Sequence, residues 1–128
     1  MKIFVIFFLM ILYFSCKKYE LEKDTTDAIK ASVCDINYPV RELPWLHKLI
    51  EDAKDEKVDK ILTIKLVEVN GKPIFNYYLS YSSCMGCINY QCDGSMIDVN
   101  KLPAAEIQEF KDKIISGQGK VTILWPEE

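Results

Sequence analysis

Asn70-Gly71 stands between two runs rich in β-branched and aromatic residues, Ile61 to Val69 and Lys72 to Tyr81. Both residues of a two-residue hairpin loop need positive φ, which asparagine and glycine accept readily, so the dipeptide predicts a tight reversal of the chain. The loop length then sets the register: Val69 opposite Lys72, Leu66 opposite Phe75, Ile64 opposite Tyr77 and Leu62 opposite Leu79. The last three pairs fall on one face, the arrangement that a half-buried sheet requires. The other face carries Thr63, Lys65, Asn76, Tyr78 and Ser80 and is expected to be wetter.

The flanking segments supply cover for such a sheet. Leu43-Pro44 opens a helix, with proline in the first turn where its missing N–H costs nothing. Trp45, Leu46, Leu49, Ile50 and Ala53 recur at the spacing of one helical face. Glu51, Asp52, Lys54, Asp55 and Glu56 lie off that stripe and read as a solvated face with pairs such as Lys48/Asp52 and Glu56/Lys60. Asp93-Gly94 predicts a second two-residue hairpin, pairing Cys92 with Ser95, Tyr90 with Ile97 and Ile88 with Val99. Leu102-Pro103 opens a second helix, apolar at Ile107, Phe110, Ile114 and Ile115 and stopped by Gly117. The last strand runs from Val121 to Trp125. The order α-β-β-β-β-α-β predicts an α+β domain: an antiparallel sheet of four to five strands whose apolar face two helices cover, cystatin-like in outline. At 128 residues the chain holds one such domain, and its net charge of −3 argues against a nucleic-acid partner.

The N-terminus reads as an address. Lys2 is followed by an uncharged run from Ile3 to Phe14, then Ser15 and Cys16, after which the sequence turns abruptly charged. As a helix the run is roughly 18 Å long, short of the ~30 Å hydrocarbon layer, and it has the length of a signal-peptide core. A small residue followed by cysteine directly after such a run resembles the lipobox of bacterial lipoproteins, with Tyr13 where leucine is usual. The resemblance implies cleavage before Cys16 and palmitate-type acylation of that cysteine, and two or three chains suffice for stable membrane attachment. The expected division is a signal peptide over 1–15, the lipidated cysteine and a flexible tether over 16–33, and the folded domain over 34–128. The tether spans roughly 20–25 Å as a coil. Lys17-Lys18 resembles neither an inner-membrane retention signal nor an acid-rich export tract. The expected location is therefore the cell membrane or outer membrane, facing the periplasm.

Cys34 ahead of Leu43-Pro44-Trp45-Leu46, the strand with Tyr77-Tyr78, and Cys92-Asp93-Gly94 together resemble small lipoproteins of Bacteroidota over about residues 34 to 98. That resemblance implies fold and location and brings no activity with it.

Beyond Cys16 four thiols remain, Cys34, Cys84, Cys87 and Cys92, an even number that outside the cytoplasm implies two disulfides. Cys87 and Cys92 in one strand would lie roughly 17 Å apart, too far to bridge. Cys84 and Cys92 are likewise separated along neighbouring strands. Cys34–Cys92 with Cys84–Cys87 survives. The C-x-x-C at Cys84/Cys87 also admits thiol–disulfide exchange, although a strand rather than a helix follows it. Zinc capture, with Cys92 and either Cys34 or His47 completing four ligands, is a third reading. His47 has no nucleophile at a recognised spacing, and Asp93 and Asp98 read as turn and strand-end residues. The expectation is a non-enzymatic binding or structural module of the cell envelope with no cofactor and no resident metal. Its partners would be the membrane, through the lipid, and an unknown envelope protein. The candidate surface is Thr63, Lys65, Asn76 and Tyr78 with the Ser82 to Gly86 loop. Thiol–disulfide or metal handling, and inhibition of a secreted protease, are the alternatives.

Overall fold

The structure, a computed structural model, describes residues 29–127. The leader, Cys16 and most of the expected tether lie outside the described residues. Ile29 and Ala31 pack against the hydrophobic core, so the packed region starts ahead of Cys34, where the domain was expected to begin.

The fold is α+β, with four antiparallel strands in one open sheet. A four-residue helix α1 (Pro39–Glu42) leads into α2 (Pro44–Asp55). The strands are β1 (Leu62–Val69), β2 (Lys72–Leu79), β3 (Ile88–Tyr90) and β4 (Thr122–Trp125), and α3 (Ala104–Ile114) lies between the last two. In the sheet the strands run β3-β2-β1-β4. The β1–β2 register follows the Asn-Gly expectation along its whole length, from Val69 opposite Lys72 to Leu62 opposite Leu79. Asn70 and Gly71 both take positive φ, +49° and +73°.

Two hydrophobic clusters form on opposite faces, because alternate residues of a strand point opposite ways. On the first face α2 lays Leu46, Ile50 and Ala53 against Leu62, Ile64, Phe75 and Leu124. On the second, α3 lays Phe110 and Ile114 against Val67, Val69 and Ile74, with Val99 beside them. Each fully buried side chain of this kind contributes about 1.5–3 kcal/mol. The helices were expected to share one face. Instead they sit diagonally, α2 over the open end of the hairpin and α3 over its turn end. The apolar pattern of Val67, Val69 and Ile74 is what draws α3 to the second face.

Asp93-Gly94 does not close a two-residue loop. Gly94 N–H donates to the Gln91 carbonyl and Gln91 N–H donates to the Ser95 carbonyl, with Gly94 at φ +83°. This is a three-residue loop ending in a left-handed glycine. The register therefore slips by one from that expected: Tyr90 bridges Met96, and Ile97 N–H donates to the Asn89 carbonyl. The predicted strand after the turn shrinks to that bridge, and Val99 enters a 3-10 turn (Val99–Lys101). Of the expected helix pairs, Lys48–Asp52 forms at 2.7 Å, but Glu56 lies past the end of α2 and the second pair observed is Lys54–Glu51.

Candidate functional site

Both expected cysteine pairs are at bridging distance, Cys34–Cys92 with Cα atoms 5.7 Å apart and Cys84–Cys87 at 5.5 Å. Around the first pair the widely separated Leu-Pro-Trp-Leu and Cys-Asp-Gly motifs meet. Proline at the start of α2 sets Trp45 on the first turn, from which its indole N–H reaches the Cys92 carbonyl at 2.9 Å. The ring lies edge-on to Phe75 at 5.2 Å and tilted on Tyr90 at 5.4 Å. A Cβ on Gly94 would come within 2.7 Å of Trp45 Cγ, so the turn can approach the ring only as glycine. Asp93 accepts from the amide and hydroxyl of Ser95, and these bonds hold its carboxyl below the usual carboxylate range. Burial raises the phenols of Tyr77 and Tyr90 above their ordinary value. These groups build the fold, as the turn reading of Asp93 anticipated.

The second pair closes an exposed loop that two asparagines hold from below. Asn76 donates to the Met85 carbonyl at 2.9 Å and to Asn89 Oδ1 at 3.0 Å, and Asn89 donates to the Gly86 carbonyl at 2.7 Å. Both asparagines have no exposed surface. Asn76 was expected on an open binding face; the Cys84–Cys87 loop folds over it, and its amide N–H groups bond that loop and Asn89 while its buried Oδ1 has no partner among the described residues. Its partners on that face, Thr63, Lys65 and Tyr78, are brought together by the register but are only half-exposed. Gly86 lets the loop backbone lie on Phe110, whose ring edge is 3.1 Å from where a Cβ would stand. A cavity of about 300 Å³ lies between this loop and α3, with Ile107 and Phe110 in its wall. β3 follows Cys87 directly, so no helix N-terminus is present to lower a thiol pKa.

The four thiols pair off and do not converge on His47, which is exposed on α2. Among the described residues no three of His, Cys, Asp or Glu are grouped to hold a metal ion.

A larger cavity, about 570 Å³, was not visible in the sequence because four separate segments build it. Leu66, Glu68 and Pro73 lie on the sheet side, residues 30–33 flank it, and Lys113, Lys120 and Thr122 complete the wall. Lys113 is engaged: its amine bonds Glu109 at 2.7 Å and also donates to the Glu68 carbonyl. No protein-family model, curated protein or solved structure matches the chain.

Proposed function

We propose that this protein is a lipid-anchored binding module of the bacterial cell envelope, tethered through acylated Cys16 and facing the periplasm, with no catalysis of its own. The observation that carries this reading is the pairing of all four cysteines of the folded region at bridging distance. Disulfides persist in oxidising compartments, and a short apolar leader ending in Ser15-Cys16 is the kind of signal that leads there. The large surface cavity supports a binding role, since its size falls in the range of small-ligand sites.

Fatty-acid labelling tests the address. Label should enter the full chain and be lost in Cys16→Ala; equal labelling of the variant, or recovery of the protein in the cytosol with its leader intact, would overturn the proposal. A thiol–disulfide role is the second reading, favoured by the exposure of both Cys84 and Cys87. Two titratable thiols in the native protein, mapped to that pair, would support it over a structural bridge.

A further inference from the structure

Two neighbouring features converge on one kind of partner. The first is the outer edge of β4. In the Asn-Gly hairpin the odd-numbered residues of β1 turn their backbone groups toward β2, so the even-numbered ones bond to β4. Ile123 lies opposite Lys65 and therefore points its own N–H and C=O away from the sheet. β4 is an edge of the sheet, and among the described residues Ile123 makes no backbone bond outside the strand ladders. Native edge strands are protected by short length, charged side chains or proline; β4 is short and ends at Pro126, but it reads T-I-L-W without a charge, and Ile123 is 45% exposed.

The second feature is the large cavity, which lies where β4 begins and includes Thr122 and Lys120 in its wall. Pairing of β4 with β1 stops at Leu66 opposite Thr122, leaving the rest of β1 without a strand on that side. The Lys113 amine fills the resulting gap at the Glu68 carbonyl and is neutralised by Glu109. Lys30 and Lys120 also line the cavity, and neither has an ion-pair partner among the described residues. Glu68 is the one carboxylate in the wall.

We propose that β4 and this cavity together bind the C-terminal end of an extended polypeptide, which adds to the edge of β4 as an antiparallel strand and lodges its terminal carboxylate against Lys30 and Lys120. The antiparallel direction follows from the chemistry: only that orientation brings the partner's C-terminus to the Thr122 end, where the free ammonium groups are. Strand addition supplies affinity through main-chain bonds, and capture of a terminal carboxylate supplies selectivity. Charge-assisted hydrogen bonds are about twice as strong as neutral ones. That is why such a partner is favoured over a second copy pairing β4 to β4, which has only a four-residue edge to offset the cost of association.

The inference rests on the reading of the protein as a binding module and names its partner. It is tested on the full chain in detergent with a pool of fluorescent heptapeptides, apolar at alternate positions and ending in a free carboxylate, beside the same pool as C-terminal amides. The acids should bind at least about tenfold more tightly than the amides. Lys30→Glu with Lys120→Glu should erase that preference. Ile123→Pro, which removes an outward N–H at a position where edge strands tolerate proline, should weaken both pools while the unfolding midpoint stays unchanged. Equal binding of acids and amides, preference surviving the lysine changes, or a peptide-independent dimer abolished by Ile123→Pro would each overturn the inference. Fatty-acid labelling is read separately, so failure of the anchor and failure of this site are distinguishable.

Discussion

Replacing Gly94 by alanine should be among the costliest single-methyl additions in the domain, and the structure lets the cost be divided. Gly94 and Gly71 share the left-handed conformation, at φ +83° and +73°. An L-residue there costs about 1–2 kcal/mol from backbone sterics. At Gly71 nothing lies within 4 Å of the added methyl, so Gly71→Ala should lose that amount alone. At Gly94 the methyl meets Trp45 Cγ at 2.7 Å and two further Trp45 atoms at 3.0 Å. The ring cannot retreat without giving up its bond to the Cys92 carbonyl and its contacts with Phe75 and Tyr90. Overpacking of this kind adds about 1–3 kcal/mol, so Gly94→Ala should cost roughly 2–5 kcal/mol in all. Urea unfolding of the two variants with disulfides intact, followed by tryptophan fluorescence, measures both values. Equal losses at the two glycines would refute the reasoning, because they would mean that Trp45 yields freely.

The two bridges should differ in worth. By loop-closure entropy, losing Cys34–Cys92, with a separation of 58, costs about 4 kcal/mol, and losing Cys84–Cys87, with a separation of 3, about 2 kcal/mol; paired cysteine-to-alanine variants in denaturant titrations give the order. Acid should loosen the turn end of the hairpin. Glu109 is held below its ordinary carboxylate value by the Lys113 bond and then by the Asn70 amide. Its stabilisation is complete above about 4.5 and is lost as pH falls through the depressed folded value. Glu51 and Asp93 shift the same way, so the readout is the difference between wild type and Glu109→Gln, which should show a shallower loss of stability on acidification.

The sequence made the first hairpin fully legible because two local signals agreed: a dipeptide that demands one turn type, and an alternation that fits only one register. At Asp93-Gly94 the same kind of signal misled by one residue. Either a two- or a three-residue loop can end in that glycine, and no local pattern separates the two; the turn that forms lies against Trp45, nearly fifty positions earlier. The pairing of the cysteines was legible because distance along a strand eliminates partners. The second face was not. Lys65 and Asn76 mark it as polar, but Val67, Val69 and Ile74 give a docking helix a reason to choose it, and the Cys84–Cys87 loop buries Asn76 through contacts that no local pattern announces. The lysine-lined cavity escaped notice for the same reason, since its walls come from segments that meet only after folding.

Tension applied on the N-terminal side of Cys34 passes through its sulfur into Cys92 and leaves residues 35–91 slack. Both early helices, the Asn-Gly hairpin and β3 lie within that closed ring and cannot be drawn out in series. Within the fold beyond that ring, the chain after Cys92, carrying α3 and β4, can be drawn out, to roughly 120 Å at full extension over residues 93–128. A domain pulled by its two ends would thus shed its last helix and edge strand while the knot around Trp45 held.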